Sequence, residues 1–424
     1  MALSHNNSVG TDSLVMCYDS ANTKKSWLGQ PTTNYIPFPA ASYNGVSFVN
    51  FGYNYANLGV TYTYGANVSN PINVIGVLRY FTGTTGYKYF SIDSTTLPTT
   101  GTYTFSYYAR MVGGTAPNNI GNSQLWRAAG SDRSVTGDWN PSFTTEWVRY
   151  STSGPAEAGT ILQYFPVHSG SITGGFTIEY CGFQLELGSY ATPYVEGGRS
   201  TTGSVLDYVG QNPLTPSNLV YASNNTFSFS ESSSSTITTT LPVASLLPAL
   251  SSFTLEAWVR VTAWPTNTFL NPYGQRDKAG TIVGACYYSG TGIRWAGNAL
   301  GTGMTVFGFV RGEDAYRNTA TYTVPSLNVY NHFVFTNNSS GGGMSLYVNG
   351  ELFSTVAAAT QQYAPGLVSG IGNLAINRAD VDGGGTSVYS YLNGNIDAVK
   401  VYQRALSANE VRNNFIALKG RFGL

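Results

Sequence analysis

The residues best suited to chemistry in this chain are aromatic side chains in glycine-rich, loop-like segments. They are Trp126 and Arg127 in QLWRAAG, Trp139 in TGDWNPS, and Tyr287, Tyr288 and Trp295 around a glycine-rich turn. An exposed aromatic ring can stack on the apolar face of a pyranose, while neighbouring polar groups hydrogen-bond its hydroxyls. We predict that these residues contact sugar. The alternative is that they pack beneath their own loops. Trp147 and Trp258 stand in strand-like segments, where we expect neighbours to cover them.

Hydrolysis of a sugar would need two carboxylates facing one another across a cleft. Glu256 has no acidic residue two or four positions away on its strand, and the chain contains neither an HExxH nor a GxSxG motif. With three histidines in all, no nucleophile or metal site is evident. We therefore predict no catalytic residues and no enzymatic activity.

Aspartates offer a weaker hint of metal binding. Asp380 and Asp382 lie in ADVDGGG, an oxygen-rich segment that could hold a structural calcium ion, although it lacks the full spacing of a dedicated calcium loop. The alternative is an exposed glycine-rich loop without metal. Apart from this calcium, no cofactor is predicted. Asp397 shares strand parity with Val399 and Val401, so we expect it to tie down a neighbouring backbone or Arg404.

The composition excludes several partners. Charged residues make up 10% of the chain, and the 21 basic residues equal the 21 acidic residues in number. We therefore expect no electrostatic binding to nucleic acid or to an anionic membrane. No apolar run is long enough to insert into a bilayer. The N-terminal segment does not read as a signal peptide, and Cys17, Cys181 and Cys286 form no CxxC pair. These features predict synthesis in a reducing cytoplasm.

The elements that must carry these residues are strands. Apolar side chains alternate with polar ones in YTFSYYAR (103–110), FTLEAWVRV (253–261) and MSLYVNG (344–350), which ends in the hairpin dipeptide Asn349-Gly350. SFSESSSSTITTT (228–240) reads as edge strands and a loop. With 14% aromatic residues and 49 glycines, the chain is predicted to be all-β, built from antiparallel β-sandwiches.

One helix is predicted near the C-terminus, in RALSANEVRNNFIALKG. Ser407 and Glu410 have the spacing of a capping box, and Gly420 can close the helix. Its apolar stripe consists of Val411, Phe415 and Leu418. The stripe predicts that the helix packs on the outside of a sheet.

Residues from about 200 to 420 carry a family resemblance. SFTLEAWVRV, VYNHFVFTNNSSGGGMSLYVNGE and YLNGNIDAVKVYQRALSANEV, in this order, resemble the laminin-G-like, concanavalin A-like jelly roll. In such proteins a segment like SLVMCYDSANTKKSWLG (13–29) stands directly before the remainder, but here the continuation begins near Thr201. We therefore predict that residues 1–30 supply the first strand of a jelly roll completed by 200–424, and that 31–199 form a second domain inserted into it.

The insert has a resemblance of its own. TYTFSYYARM, TTEWVRYS and FTIEYCGFQLELGSYATPYVEGG resemble the carbohydrate-binding jelly rolls often found in phage tail and fibre proteins. Within FTIEYCGFQLEL the apolar parity changes at Gly182, which predicts a β-bulge. The overall expectation is two jelly rolls, one inserted into the other, with a short C-terminal helix.

The resemblances imply a non-catalytic phage virion protein assembled in the host cytoplasm. One reading is a fibre or spike component that binds host surface polysaccharide. The other is a capsid decoration or fibre-anchoring protein that binds no glycan and contacts only other virion proteins. Closed symmetry is the default for such parts, so a homo-oligomer, with a trimer favoured, is expected.

Overall fold

The structure is a computed structural model of the 424-residue chain. It describes residues 11–23, 25–36, 60–63, 68–72, 78–82, 86–114, 124–127, 141–172, 175–195, 197–201, 204–210, 213–222, 226–247, 251–265, 270–271, 274–275, 278–284, 291–297, 301–311, 316–339, 343–357, 373–379 and 388–424. These residues form two compact units. The outer unit consists of Met1–Gly29, Thr201–Ala222 and Thr226–Leu424, and the inserted unit of Gln30–Ser200.

The chain begins with one strand of the outer unit, β1 (Leu14–Asp19), and then enters the inserted unit. The strands of the inserted unit are β2 (Thr32–Thr33), β3 (Val60–Thr63), β4 (Leu78–Thr82), β5 (Gly86–Asp93), β6 (Gly101–Gly113), β7 (Gln124–Arg127), β8 (Val148–Ala156), β9 (Leu162–Ile172), β10 (Thr177–Leu187) and β11 (Gly198–Arg199).

The remaining elements belong to the outer unit. Its strands are β12 (Val205–Leu206), β13 (Pro213–Ser217), β14 (Val220–Tyr221), β15 (Phe227–Ser228), β16 (Thr236–Pro242), β17 (Phe253–Val261), β18 (Leu270–Asn271), β19 (Gly274–Gln275), β20 (Lys278–Gly284), β21 (Thr291–Gly297), β22 (Met304–Arg311), β23 (Tyr316–Asn318), β24 (Tyr322–Thr323), β25 (Tyr330–Asn338), β26 (Gly343–Val348), β27 (Glu351–Val356), β28 (Asn373–Ala379), β29 (Val388–Tyr389) and β30 (Gly394–Tyr402). Its helices are α1 (Val243–Leu246), α2 (Ala408–Lys419) and a 3₁₀ turn at Gly420–Phe422.

The outer unit is a β-sandwich. A six-stranded sheet has the order β1-β30-β17-β25-β26-β27, and a larger sheet has the order β12-β13-β16-β28-β20-β21-β22-β23, with β24 beside β22 and β29 beside β20. Between the described strands of these two sheets, the pairings are antiparallel except that of β20 with β29, which is parallel. One hydrophobic core draws on both sheets: Leu255, Phe335 and Val399 come from the first, and Ile293 and Ile376 from the second.

The predicted alternation is confirmed in both units. The odd-numbered residues of β17, from Phe253 to Val261, all belong to the core of the outer unit, as do Met344, Leu346 and Val348 of β26. Asn349 and Gly350 both take positive φ, as a tight hairpin between β26 and β27 requires. The serine-rich segment forms β15, a turn and β16, so strands and a loop are present as predicted, but β16 is not an edge strand, because it pairs with both β13 and β28.

Strand β1 pairs antiparallel with β30, from Leu14 opposite Tyr402 to Asp19 opposite Ala398. Met16 and Tyr18 thereby enter the core of the outer unit. The two segments of the outer unit that flank the insertion lie next to each other. Leu28 N donates to Ser204 O at 2.9 Å, and Leu206 N donates to Ser26 O at 2.8 Å. Within the inserted unit the two ends are also adjacent, because Thr32 and Thr33 of β2 pair with Arg199 and Gly198 of β11.

Helix α2 covers the outer side of the six-stranded sheet, as its apolar stripe predicts. Ser407 and Glu410 form the predicted capping box. Phe415 and Phe422 stack on Trp258, with ring centroids 5.7 and 4.3 Å apart. The helix ends at Lys419, but Gly420 keeps a φ of −63° and the chain runs on into the 3₁₀ turn. The left-handed position is instead Gly423, with a φ of 74°, and it follows Phe422, which packs on Trp258.

A buried ionic cluster lies between α2 and the sheet. Glu256 of β17 forms a salt bridge with Lys400 of β30, and Asn414 Nδ2 of α2 donates to Glu256 Oε2 at 2.7 Å. The His332 Nε2 atom lies 3.2 Å from Glu256 Oε1. Burial alone would raise the pKa of Glu256, but the Lys400 ammonium and the His332 imidazole lower it to about 2. The charged carboxylate therefore anchors the helix to the sheet.

The prediction that Asp397 shares a strand face with Val399 and Val401 is wrong. The β17 to β30 register shifts between Ala398 and Ile396, so Ile396, and not Asp397, joins Val399 and Val401 in the core. The Asp397 carboxylate instead accepts hydrogen bonds from the hydroxyls of Ser20, at 2.6 Å, and Tyr330. It does not bind Arg404, which pairs with Glu410 and Asp12.

The inserted unit contains a five-stranded sheet, β3-β4-β10-β6-β8, a three-stranded sheet, β5-β9-β7, and the β2-β11 pair. Tyr103, Phe105, Tyr107 and Ala109 of β6 face its aromatic core, as predicted, and Leu162 of β9 joins them from the second sheet. The predicted bulge is confirmed, since the β10 to β6 register shifts between Cys181 and Gln184. Among the described residues, no helix is both long and apolar enough to cross a membrane.

Deleting the inserted unit is predicted to leave the outer unit folded. In a chain with residues 31–199 replaced by a short glycine-serine linker, β1 can still pair with β30 because the flanking residues already lie side by side. A second chain with only residues 201–424 lacks β1, exposes the edge of β30, and should lose solubility. Circular dichroism and size-exclusion chromatography compare the two. Equal behaviour would contradict the assignment of β1 to this sheet.

Lys400→Ala is predicted to destabilise the outer unit strongly. It leaves Glu256 buried without its cation, a change that costs about 3–5 kcal/mol when one partner of a buried pair is removed. Urea unfolding at neutral pH measures the loss. The control is Lys400→Met combined with Glu256→Gln, which removes both charges and should recover most of the stability. A single variant as stable as the parent would contradict the predicted role of the pair.

Candidate functional site

The structure overturns one of the predicted sugar contacts. Trp295 is fully buried in β21, on the same face as Ile293, and both belong to the core of the outer unit. The segment TGIRWAG, which we expected to flank a turn, is a regular strand with period-two alternation. Since its ring is covered by core residues, Trp295 cannot stack on a ligand, and the prediction for this residue is wrong.

Of the other predicted residues, two lie in a described strand and the rest lie outside the described residues. Trp126 and Arg127 lie in β7, paired with Gln163 and Leu162 of β9, so their setting is a strand and not the expected loop. Trp139, Tyr287, Tyr288, Asp380 and Asp382 lie outside the described residues. Within the described ranges, no three His, Cys, Asp or Glu side chains gather as a metal site would need. The sugar contacts at these positions and the calcium site stay predictions.

A different set of residues forms a candidate site on the five-stranded sheet of the inserted unit. The strand registers place Arg110 between Glu179 of β10 and the start of β8, and place Tyr108 opposite Arg149 of β8. Trp147 immediately precedes β8. Aromatic and guanidinium groups therefore alternate on the side of the sheet that faces away from the core. We call Tyr108, Arg110, Trp147 and Arg149 the aromatic-arginine face.

Arg110 is held by a buried carboxylate. Its Nε atom lies 2.8 Å from Glu179 Oε2, and Glu179 is fully buried while 27% of the Arg110 side chain is exposed. The guanidinium carbon lies over the Trp147 ring, 5.0 Å from its centroid, a cation–π contact. The Trp147 indole is half-buried, and its Nε1 donates to Ser69 O at 3.1 Å. Both planar groups are thus fixed before any ligand arrives.

Arg149 makes a second stack beside the first. Its guanidinium lies over the Tyr108 ring, 5.5 Å from the centroid, and its Nη2 donates to the buried Ser106 hydroxyl at 2.9 Å. Burial lowers the pKa of Arg149, and the attraction of Tyr108 and Glu186 partly opposes this effect. Tyr108 and Arg149 are both half-buried, so part of each remains open to solvent.

The residues beside this face are rigid. Glu186 accepts hydrogen bonds at Oε1 from Gln184 Nε2 (2.6 Å) and Thr192 N (2.8 Å), and at Oε2 from the hydroxyls of Thr32 and Thr192. Val195 N donates to Gln184 Oε1 at 2.8 Å. The segment that carries Tyr194 is thereby tied to β10. A fixed set of planar rings and donors suits recognition, because little conformational freedom is lost on binding.

The buried carboxylates are committed to protein contacts. Glu256 is sealed beneath α2 by Lys400 and Asn414, and Glu179 and Glu186 hold the inserted unit together. In the outer unit Glu231 binds Lys278 and the Ser390 hydroxyl. Each of these carboxylates serves the fold.

Sequence reasoning missed Trp147 and Arg149. The alternation in YTFSYYAR implies that Tyr108 and Arg110 share the polar side of their strand, whereas Trp147 was expected to be covered by a neighbour. The signal was present in TEWVRYS, since Trp147 and Arg149 share parity as Tyr108 and Arg110 do. What it lacked was the register that brings the two pairs together.

Comparison with known proteins identifies the fold of the outer unit. Residues 231–412 match the laminin-G-like family model described as the concanavalin A-like lectin/glucanases superfamily. No curated protein matches the chain. The outer unit therefore has a concanavalin A-like lectin fold, and the chain is mostly β, with antiparallel sheets consistent with jelly-roll sandwiches and one short C-terminal helix.

Similar solved structures are partial matches. The binding domain of botulinum neurotoxin serotype C1 is 17% identical, with a TM-score of 0.38 over 51% of this chain and 50% of that one. The serotype G binding domain is 15% identical, with a TM-score of 0.36 over 50% and 48%. Trypanosoma rangeli sialidase is 17% identical, with a TM-score of 0.34 over 51% and 31%. The match thus spans half or less of each of these proteins.

Gly182→Ala is predicted to disturb the aromatic-arginine face. Gly182 has a φ of 63°, and an added Cβ would lie 2.5 Å from Ile72 Cδ1 and 3.3 Å from Cδ2 of Tyr108 and Tyr194. We expect a loss of about 2–4 kcal/mol, from backbone strain plus overpacking. Gly159→Ala is the matched control, because its φ is 80° but nothing lies within 4 Å. Thermal unfolding of both variants measures the difference, and equal losses would refute the tight packing around Tyr108.

Proposed function

We propose that the protein binds carbohydrate without cleaving it, and that the aromatic-arginine face is a binding surface. The observation that carries this proposal is the half-exposed Trp147 indole, held by Arg110 and Ser69 beside the Arg149 and Tyr108 stack. The C–H groups of a pyranose can pack on such rings while guanidinium and phenol groups donate to its hydroxyls.

We also propose that the protein is part of a phage particle. The resemblance of the insert to carbohydrate-binding jelly rolls of phage tails and fibres supports a virion fibre or spike component, assembled in the host cytoplasm and attached to host surface glycan. A shallow platform gives weak binding per site, because few hydroxyl groups are buried. A homo-oligomer, in which a trimer is favoured, would present several such platforms and raise the effective affinity on the order of a hundredfold.

One observation favours the second candidate, a capsid decoration or fibre-anchoring protein. Strand β27 is the last strand of the six-stranded sheet, and it exposes Leu352 and Phe353, whose exposed fractions are 55% and 44%. An apolar edge strand suits contact with another protein. Electron microscopy of virions labelled with an antibody to this protein separates the candidates, since a fibre or spike component labels the tail and a decoration protein labels the capsid.

Trp147→Ala is predicted to weaken glycan binding about tenfold, because it removes the stacking surface and frees Arg110 from its ring contact. Binding is measured on an array of host polysaccharide fragments, with the protein presented as single copies and clustered on beads. Trp147→Phe should retain part of the affinity. Val329→Ala, at an exposed valine of the outer unit, is the control with unchanged binding.

Further variants locate the binding surface within the inserted unit. Trp126→Ala and Trp139→Ala test the residues predicted from the sequence. If they abolish binding and Trp147→Ala does not, the site lies elsewhere in this unit. If clustered parent protein binds no glycan, carbohydrate binding is refuted and the decoration or anchoring candidate replaces it.

A further inference from the structure

The charges on the polar side of the five-stranded sheet are unevenly matched. Arg110 is neutralised by Glu179. Glu186 accepts all its hydrogen bonds from uncharged groups, namely Gln184, Thr32, and the backbone and hydroxyl of Thr192. Arg199 donates to the backbone oxygens of Gln30 and Pro193.

Like Arg199, Arg149 has no carboxylate as a direct partner among the described residues, but Arg199 is buried and bound to two backbone oxygens, whereas Arg149 is partly exposed. Its Nη2 donates to the Ser106 hydroxyl, Tyr108 is a second side-chain partner, and in the described part of the chain no carboxylate lies within salt-bridge distance. Its Nε is buried without a hydrogen-bond partner among those residues. Glu186 attracts Arg149 only at longer range. Partial burial removes some of the water around this cation, a loss that a ligand carboxylate would offset.

We propose that the glycan bound at the aromatic-arginine face is acidic, and that Arg149 receives its carboxylate. This inference rests on the proposed carbohydrate function and names the ligand class for the same site. Because Nε is sealed in the protein and Nη2 already donates to Ser106, the Nη1 side of the guanidinium is the part that can meet a carboxylate, and stacking on Tyr108 holds it in one orientation. A uronic acid or another sugar with a ring carboxylate fits this chemistry.

The two arginines therefore have different roles. Arg110 is a positioning residue, because its charge is paired with Glu179 and its guanidinium plane orients the Trp147 ring. Arg149 discriminates, because a neutral sugar leaves its charge unmatched. Hydrogen bonds between charged groups exceed those between neutral groups enough to favour the acidic sugar about tenfold to a hundredfold.

The test uses uronic-acid-containing bacterial capsular polysaccharides in two forms: native, and after chemical reduction of each carboxyl group to a primary alcohol. Full-length protein clustered on beads should bind the native form about tenfold or more tightly, and 0.5 M NaCl should reduce that preference. Arg149→Gln should bind both forms equally and weakly. Arg149→Lys keeps the charge but loses the planar guanidinium, so it should recover the preference in part.

Controls separate this inference from the proposed function. Arg412→Gln, at a largely exposed arginine of α2, should leave the preference unchanged. Equal binding of native and reduced forms by the parent protein would overturn the acidic ligand while carbohydrate binding stands. Preference for a sulfated galactan over both would also overturn the carboxylate. Binding of none of these, nor of any neutral glycan, would refute the proposed function itself. If Arg149→Gln fails to fold, the comparison of the two forms with the parent protein still decides.

Discussion

The antiparallel pairing of β1 with β30 is the interaction on which the rest of the structure depends. It joins residues near the N-terminus to a strand almost 400 positions later, and it places Met16 and Tyr18 in the core of the outer unit. The outer unit is interrupted between Gly29 and Thr201. For β1 to join the same sheet as the later strands, we expect the residues on the two sides of this interruption to lie close together. Hydrogen bonds from Leu28 to Ser204 and from Leu206 to Ser26 meet that expectation. An inserted unit is compatible with the sheet because its own first and last strands, β2 and β11, pair as well.

The two units treat buried charge in opposite ways. In the outer unit, α2 lies over Glu256, and the carboxylate is fully matched by Lys400 and Asn414 out of contact with water. The cluster is closed and serves to attach the helix. In the inserted unit, Glu179 is equally buried but its partner Arg110 reaches the surface. The carboxylate there fixes the orientation of a group that a ligand can touch. This difference is why the inserted unit, and not the fully covered sheet beneath α2, carries the proposed site.

Two of the four residues of the aromatic-arginine face could be grouped from the sequence. Alternation in YTFSYYAR placed Tyr108 and Arg110 together on the polar side of β6, as the structure has them. Alternation in TEWVRYS offers the same reasoning for Trp147 and Arg149, but not their position beside Tyr108 and Arg110, since register depends on hydrogen bonds between strands far apart in the chain. Trp295 failed for a related reason. A glycine-rich context suggested a turn, whereas the segment pairs with strands on both sides and the Trp295 ring lies in the hydrophobic core.

The sequence by itself determined the features that depend on local chemistry. These are the strand alternation, the capping box of Ser407 and Glu410, the bulge at Gly182 and the point where the outer motifs are interrupted, because each is governed by neighbouring residues. Only the tertiary structure decided which polar groups meet. The shift in register that removes Asp397 from the core, the closure of Glu256 under α2, and the alternation of rings and guanidinium groups around Arg110 all arise between distant segments. Such contacts depend on register and packing, and no local pattern of residues encodes them.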